Sequence, residues 1–219
     1  VATIKCELEK HKRPCLKLTI NLVIFKQGFL LLGLGITTMN FYTVTDDYIN
    51  HLKKTDKTVP NNYSEKRAYV GIVLHVNGCK YLAPLTSYKE KQDRIPSSSP
   101  SVYKINEDGV LSNKLGMLQL NNMIPVTDAV ITELDVDKQD EPYRSMLQRQ
   151  IKFIKKNGDK IIERAEKLHK LVIVDKHKHF SNISCDFSAL EAAMGTYQVP
   201  TPKPPTLSQL AALLSKNTP

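Results

Sequence analysis

The clearest pattern of apolar and polar positions in the chain is a β-hairpin near its middle. Apolar residues dominate two neighbouring segments, residues 68–76 and 79–85, and Asn77-Gly78 lies between them. Asn-Gly between two such segments favours a two-residue hairpin turn, because both residues tolerate positive φ. Pro84 is expected to end the regular part of the second strand. Since antiparallel partners run in opposite directions, the start of the first strand and the end of the second lie at the same end of the sheet.

Shorter elements flank this hairpin on both sides. Before it, residues 41–44 form a predicted strand. Thr45, followed by Asp46 and Asp47, is typical of a helix N-terminus, where the helix dipole favours acidic side chains. The remaining predicted elements are strands over residues 102–105, 117–120 and 123–126, and helices over residues 142–156, over residues 160–172 with Asp159 as the N-cap, and over residues 187–194.

The length and the charge of the chain set limits on its organisation and its partners. The 219 residues, of which 41% are apolar, are enough for one globular domain with a sizeable core. A net charge of +9 indicates an anionic partner. Residues 39–194, however, hold 23 Lys and Arg against 20 Asp and Glu, so a nucleic-acid site in this part has to be a local basic patch.

The cysteine and histidine spacings do not indicate a metal site. The four cysteines form no Cys-x-x-Cys pair and no Cys/His spacing typical of zinc. His177 and His179 lack further ligands nearby in the sequence, which favours a solvated basic loop. We therefore predict no metal and no cofactor, and reduced thiols in a cytoplasmic protein.

The two ends of the chain differ from its middle. Residues 1–38 start with basic residues and continue into the apolar segment 16–36, whose uninterrupted part is too short to span a bilayer. This segment has two interpretations: a signal-like or anchoring segment, or translated sequence upstream of a true start at Met39. We predict a working domain over residues 39–196 and a Pro-rich tail with a short helix over residues 197–219.

The end of the second hairpin strand carries the candidate chemistry. Thr86, Ser87 and Lys89 follow the apolar part of this strand, and Lys66-Arg67 immediately precedes the first strand. The hairpin pattern brings both groups to the same end of the sheet. Two hydroxyls and several cations at a rigid strand end can hold a phosphate, although a polar strand exit without function fits the same residue types.

Six short segments in a fixed order carry a family resemblance. They are Phe41-Tyr42-Thr43, Tyr69-Val70-Gly71-Ile72-Val73-Leu74, Tyr81-Leu82-Ala83-Pro84-Leu85-Thr86-Ser87, Asn113-Lys114-Leu115-Gly116, Met123-Ile124-Pro125 and Pro142-Tyr143-Arg144-Ser145-Met146-Leu147. Read together, they resemble the ToxN/AbiQ-like toxins, which are endoribonucleases of type III toxin–antitoxin systems with a repeat RNA as antitoxin. Because the resemblance runs from about Met39 to about Leu190, we prefer Met39 as the start of the working domain.

The resemblance implies a fold, an activity and partners. The implied fold is α+β: a compact, strongly twisted antiparallel β-sheet with a barrel-like core and flanking helices. The implied activity is metal-independent cleavage of mRNA in adenine-rich contexts, used in phage defence by abortive infection or in plasmid maintenance. The implied partner is an antitoxin repeat RNA in a closed assembly of alternating protein and RNA, with three of each as one stoichiometry, and neither DNA nor a membrane.

The resemblance also assigns roles to residues. Catalytic positions carry over onto Tyr48, Arg67, Thr86, Ser87 and Lys89, and the candidate RNA-binding residues are Lys66, Tyr88, Tyr143, Arg144 and Arg149. The position of Arg67 is often lysine in the family, and Lys66 offers the other register. Arginine can fork onto a phosphate but stays charged, so the identity of the proton donor is left open between Tyr48 and Lys89.

The chemistry of these residue types suits cleavage by the 2′-hydroxyl of the RNA itself. The 2′-oxygen attacks the adjacent phosphorus, and the products carry 2′,3′-cyclic phosphate and 5′-hydroxyl ends. Donors placed at the developing charge contribute on the order of 3–4 kcal/mol each. Tyr48, Tyr88 and Tyr143 could stack bases as in readers of single-stranded RNA, while an ordinary packing role fits each of them equally.

Two alternatives from other functional classes stay open at the level of sequence. A non-catalytic RNA-binding module would use the same basic entrance and the same aromatic residues for binding alone. A membrane-tethered or secreted protein would use residues 16–36 as its anchor.

Overall fold

The structure is a computed structural model that describes residues 39–200, apart from residue 77 and residues 108–109. The predicted leader over residues 1–38 and the tail beyond residue 200 lie outside the described residues. None of the helices in the described part is both long and apolar enough to cross a membrane.

Within the described residues, seven strands pair side by side, always antiparallel. They are β1 (Asn40–Val44), β2 (Tyr69–Val76), β3 (Cys79–Ser87), β4 (Val102–Glu107), β5 (Val110–Gln119), β6 (Ile124–Val126) and β7 (Ile131–Glu133). Their order is β4-β5-β3-β2-β1-β7, with β6 beside β3. No pairing among the described residues joins β4 to β7, so the sheet is open. It therefore matches the expected barrel-like core only loosely.

Five α-helices in the described ranges flank this sheet, which confirms the predicted α+β class. They are α1 (Asp46–Thr55), α2 (Tyr143–Lys156), α3 (Gly158–Ile173), α4 (Lys178–Ile183) and α5 (Phe187–Thr196). Asp46 and Asp47 lie in the first turn of α1 as expected, but the Thr45 side chain makes no capping hydrogen bond. The predicted N-cap of α3 was wrong: Asn157 takes that position, and Asp159 lies in the first turn, where its charge still suits the helix dipole.

The central hairpin confirms the prediction and extends it. Val76 pairs with Cys79 and Tyr69 pairs with Pro84 across β2 and β3. The expectation that Pro84 ends the regular strand was wrong, because Leu85 through Ser87 continue β3 by pairing with β5. Thr86 and Ser87 therefore belong to the end of β3, and pairing with β5 fixes their backbone along one edge.

The hairpin of β4 and β5 is much longer than the sequence pattern indicates. The first five residues of β5 are all exposed, so they show no alternation of apolar and polar residues. The same reason explains why the short edge strand β7 and the short helix α4, which buries no residue, were missed.

The core lies between the sheet and the helices. The helical stripes predicted from the sequence are buried, with Leu147 and Ile154 on α2 and Ile161, Ala165 and Leu168 on α3 all inaccessible to solvent. The largest fully buried side chains include Tyr48, Tyr69, Tyr81, Phe41 and Phe187.

Candidate active site

One cleft of about 250 Å³ opens where the end of β3, the chain entering β2 and the first turns of α2 meet. Six of the ten predicted site residues line it: Lys66, Arg67, Thr86, Ser87, Lys89 and Tyr143. The hairpin was expected to bring the end of β3 close to the start of β2. A backbone hydrogen bond confirms this, because the Leu85 N–H donates to the Ala68 carbonyl over 2.9 Å.

Arg67 is held across the end of β3. Its Nε donates to the Asn61 carbonyl over 2.6 Å, and its Nη1 reaches the Leu85 carbonyl at 3.5 Å. The side chain is half-buried. Two backbone acceptors therefore fix the orientation of the guanidinium, which has further N–H groups to offer a phosphate.

Thr86 and Ser87 are positioned by the pairing of β3 with β5. Thr86 pairs with Met117, and Ser87 pairs with Gly116. The Ser87 carbonyl also accepts a hydrogen bond of 3.0 Å from Nε2 of the buried Gln92. Because this backbone is held on both sides, the two hydroxyls sit on a rigid support, as a preorganised donor pair requires.

The remaining predicted residues of the cleft are two lysines and a tyrosine. Lys66 and Lys89 are exposed, and Tyr143 is half-buried at the first position of α2. Burial raises the pKa of the Tyr143 hydroxyl above its ordinary value of 10.0, so this group keeps its proton at neutral pH. The cleft thus combines cations, hydroxyls and a protonated phenol.

Tyr63 is a cleft residue that sequence reasoning missed. Its ring is 64% exposed, and the Arg67 guanidinium lies 4.9 Å from the ring centroid. Tyr63, Ser64 and Glu65 all have positive φ, at 54°, 55° and 61°. Such a conformation costs a non-glycine residue roughly 1–2 kcal/mol, and it is common where function constrains a loop. Positive φ at non-glycine residues leaves no local signal in the sequence, so the pattern could not place Tyr63 in the cleft.

The strained loop is tied to the start of α1. The Arg67 N–H donates to the Asn62 carbonyl over 3.1 Å, which closes the turn. Glu65 accepts a hydrogen bond of 2.9 Å from the Asp46 N–H, a donor that the helix leaves unpaired. These bonds offset the backbone strain and hold Tyr63 at the mouth of the cleft.

Gln150 was given no role in the site, because it falls at the helical spacing of the stripe predicted to be core. It is completely buried beneath the cleft, and its Nε2 donates to the Leu115 carbonyl over 2.8 Å. Its Oε1 has no hydrogen-bond partner among the described residues. Gln150 therefore joins α2 to β5 next to the point where β5 supports Ser87.

The structure does not bring Tyr48 into this cleft. Tyr48 is fully buried, and its hydroxyl donates to the Pro125 carbonyl over 2.7 Å. Desolvation raises the pKa of this hydroxyl far above its ordinary value. Pro125 pairs with Tyr81, six residues before Ser87 on β3, which at about 3.3 Å per residue is roughly 20 Å away. The position assigned to Tyr48 by resemblance is thus a core position in this chain.

Three predicted RNA-binding residues also lie outside the cleft lining. Arg144 is ion-paired with Glu141 at 3.0 Å, and Arg149 lies 3.7 Å from Glu107. Tyr88 faces a neighbouring cleft on the other side of the strand end. Their assignment to RNA binding stays a prediction.

The described residues contain no group of three or more His, Cys, Asp or Glu side chains placed to hold a metal ion. His177 and His179 flank Phe180, with ring centroids 4.9 and 5.1 Å away. They pack on an aromatic ring at the start of α4.

Comparison with known proteins assigns the chain to a family. The profile described as toxin ToxN of type III toxin–antitoxin systems matches residues 40–195. The endoribonuclease ToxN of Pectobacterium atrosepticum is 41% identical over 158 residues, which cover 70% of this chain and 90% of the relative. The endoribonuclease AbiQ of Lactococcus lactis subsp. lactis is 36% identical over 165 residues, covering 73% of this chain and 90% of the relative.

A solved structure agrees with these sequence relatives. It comes from work on bacterial type III toxin–antitoxin systems and selective toxin inhibition by a non-coding RNA pseudoknot, and it superimposes with a TM-score of 0.65 at 32% identity. The match covers 72% of this chain and 96% of that one. The family resemblance expected from six short segments is confirmed, as is the expectation of an endoribonuclease. The chain belongs to the ToxN family of type III toxin–antitoxin systems.

Proposed function

We propose that this endoribonuclease cleaves single-stranded mRNA in adenine-rich contexts at the cleft of Arg67, Thr86, Ser87 and Lys89. The observation that carries the proposal is their convergence: two hydroxyls on a rigid strand end line one cleft together with Lys89 and with Arg67, which is held at the hairpin entrance. RNA cleavage by its own 2′-hydroxyl needs donors at the phosphorane and a proton for the leaving oxygen, and this cleft offers both.

The reaction is a transesterification. The 2′-oxygen bonds to phosphorus, the bond from phosphorus to the 5′-oxygen breaks, and the products are a 2′,3′-cyclic phosphate and a 5′-hydroxyl. Thr86 and Ser87 donate hydrogen bonds to non-bridging oxygens, while the Arg67 guanidinium balances their charge. The 2′-hydroxyl loses its proton to solvent water, and the departing 5′-oxygen takes one from the enzyme.

Lys89 and Tyr143 are the two cleft residues that we propose as proton donors for the leaving oxygen. Lys89 carries an exposed ammonium, and Tyr143 carries a phenol whose raised pKa keeps it protonated. Tyr48 is not part of this proposal, because its hydroxyl is buried against the Pro125 carbonyl. If the phenol is the proton donor, Tyr143→Phe should lower kcat and remove the basic limb of the pH profile of cleavage. If the ammonium is the proton donor, Lys89→Met should have these two effects instead.

The deoxy substrate tests the mechanism most directly. A single 2′-deoxy substitution at the cleaved nucleotide removes the nucleophile and keeps every phosphate contact. We expect cleavage of the deoxy substrate to stop while its binding persists. Cleavage of the all-ribose substrate should continue in excess EDTA, and Ser87→Ala serves as the inactive control. Efficient cutting of the deoxy substrate would mean that water attacks, and the assigned roles would then be wrong.

We further propose that a small repeat RNA occupies this cleft as the antitoxin in a cytoplasmic complex, and that the system acts in phage defence by abortive infection. Toxin inhibition by a non-coding RNA in a structural relative supports this proposal. Phosphate contacts would make the affinity fall steeply with salt. Purification of the complex from its native operon should yield a discrete small RNA, and inhibition that depends on a protein instead would refute the proposal.

A further inference from the structure

A second cleft of about 460 Å³ lies beside the candidate active site, and one of its lining residues, Tyr88, has an RNA-binding role only by resemblance. We call it the Tyr88 cleft. Its lining includes Tyr88, Asp93, Lys104, Asn106, Leu111 and Lys114. It is formed by the hairpin of β4 and β5 together with the 3₁₀ turn Glu90–Arg94 that follows β3.

The two clefts share the backbone at the end of β3. Ser87 lines the active-site cleft and Tyr88 lines the second one, as expected for consecutive residues of an extended chain. Gln92 borders the Tyr88 cleft and donates to the Ser87 carbonyl over 3.0 Å. Gly116 lies in the wall of the Tyr88 cleft and pairs with Ser87. An RNA strand with its phosphate at Ser87 therefore has this cleft beside it.

The Tyr88 ring is fixed before any ligand arrives. Its hydroxyl donates to Asp93 Oδ2 over 2.7 Å, and the Lys114 ammonium lies 5.1 Å from the ring centroid. Lys114 and Asp93 form an ion pair of 2.6 Å, so the acid is already neutralised. The ring stays 37% exposed. A preorganised, accessible aromatic face binds with a smaller loss of conformational entropy than a free side chain.

The other residues of the cleft match the parts of a nucleotide. Leu111 is 81% exposed and offers an apolar contact, and the Asn106 amide can both donate to and accept from a base edge. Lys104, half-buried in the same cleft, supplies a positive charge for a phosphate. An ion pair as exposed as that of Lys114 and Asp93 contributes little to stability, so folding alone gives little reason for the arrangement.

We infer that the Tyr88 cleft binds the nucleobase of a nucleotide adjoining the scissile phosphate, with the base stacked on the Tyr88 ring. The inference rests on the proposed function, because it places the cleaved phosphate at Ser87. It adds a base-recognition site to the cleavage site, and it makes Tyr88 a determinant of substrate preference that does not touch the reacting atoms.

The test combines protein variants with abasic substrates. A short oligoribonucleotide that the enzyme cuts once is prepared in four forms, each with an abasic ribose at one of the two positions on either side of the cut. For the wild type, one of these forms should lose about 5- to 150-fold in kcat/KM, the ratio equivalent to roughly 1–3 kcal/mol of stacking per base. For Tyr88→Ala, the same abasic substitution should cause no further loss, because the stacking partner is already gone.

Matched variants separate stacking from folding. Tyr88→Phe keeps the ring and loses the hydrogen bonds of the hydroxyl with Asp93 and Lys114, so it should retain most of the wild-type abasic penalty. Circular dichroism and urea unfolding of both variants check that the fold is unchanged. Binding is measured independently with a substrate that carries a 2′-deoxy nucleotide at the cut and 2-aminopurine at the sensitive position. Stacking of the 2-aminopurine on Tyr88 should quench its fluorescence.

The outcomes distinguish this inference from the proposed function. If the wild type cleaves RNA but every abasic form loses the same factor in the wild type and in Tyr88→Ala, the inference is wrong and the cleavage mechanism stands. If no abasic form of the wild-type substrate is impaired, the inference is also wrong. If the wild type cleaves no RNA at all, the proposed function fails first, and the fluorescence measurement alone decides whether the cleft binds a base.

Discussion

Replacing Gly116 by alanine should damage both the fold and the candidate active site. Gly116 has a φ of +145°, and a Cβ there would lie 2.3 Å from the Thr86 carbonyl oxygen. Real Cβ atoms do not approach that closely, and the oxygen belongs to the strand that carries Ser87, so it cannot yield without moving the hydroxyls. The same Cβ would lie 3.3 Å from Gln150 Nε2.

The magnitude follows from two separate contributions. A non-glycine residue in this backbone region costs about 1–3 kcal/mol, and overpacking against a fixed neighbour costs about 1–3 kcal/mol more. Gly116→Ala should therefore lower the free energy of unfolding by roughly 2–6 kcal/mol. Because the free energy of unfolding of a domain is about 5–15 kcal/mol, a fraction of the Gly116→Ala molecules should still be folded.

Two other glycines serve as controls. Gly78 has a φ of +78°, but a Cβ added there would meet nothing within 4 Å, so Gly78→Ala measures backbone strain alone, about 1–2 kcal/mol. Gly195 lies in α5 with open space around it, and Gly195→Ala should stabilise by about 0.5–1 kcal/mol. Urea unfolding followed by circular dichroism gives all three values under one condition.

Cleavage assays at a temperature where every variant is folded complete the test. Gly116→Ala should lose cleavage, because its Cβ displaces the strand that holds Ser87, whereas Gly78→Ala should cleave like the wild type. A Gly116→Ala protein no less stable than Gly78→Ala, or one that cleaves normally, would show that β5 does not approach Thr86 as closely as described.

Three further variants test individual contacts. Tyr48→Phe should lose about 1–3 kcal/mol of stability because the Pro125 carbonyl loses its donor, while the folded variant should cleave normally; inactive folded protein would return Tyr48 to the catalytic set. Burial lowers the pKa of His169 below its ordinary 6.5, so the unfolded chain takes up the proton first and stability should fall as pH drops through 6.5, by at most about 1.4 kcal/mol per pH unit. His169→Gln should flatten that dependence in urea titrations, and an unchanged slope would contradict it. Asp186→Ala removes the side chain that caps α5 at the Ala189 N–H and should cost about 1 kcal/mol by the same measurement.

Sequence predicts the parts of this protein that repeat a pattern. The central hairpin was predictable because Asn77-Gly78 separates two apolar segments, and antiparallel pairing then brought Arg67 close to Ser87. The helices on the sheet were predictable from the spacing of their buried residues. The exposed half of β5, from Val110 onwards, was not, because residues without a buried face carry no periodicity.

The placement of the tyrosines could not be read from the chain. Tyr48 and Tyr63 are both aromatic residues near charged neighbours, yet one is buried and the other is 64% exposed. The difference arises from tertiary structure: α5 and the residue after it, Tyr197, cover Tyr48, while a run of positive φ turns Tyr63 outward. Neither a distant packing partner nor a left-handed backbone at non-glycine residues leaves a local signal.

The position of Pro84 explains why the candidate site forms where it does. β3 pairs along one edge first with β6, up to Leu82, and then with β5, from Leu85. The Leu85 N–H points to the opposite edge, where it reaches the Ala68 carbonyl. Since N–H directions alternate along a strand, the backbone nitrogen of Pro84 points to the edge of β3 that carries β6 and β5, at the point between these two strands. Proline has no N–H, so no donor has to be satisfied at this point of the buried strand.

The proline thus lets one strand change partners without an unsatisfied donor. The residues after it, Leu85 to Ser87, are then free to pair with β5, and β5 is the strand that Gln150 joins to α2. This sequence of contacts carries the two hydroxyls to the foot of the helix that bears Tyr143. The candidate site is therefore a consequence of strand register, and a change in that register should abolish cleavage even when every polar residue of the cleft is retained.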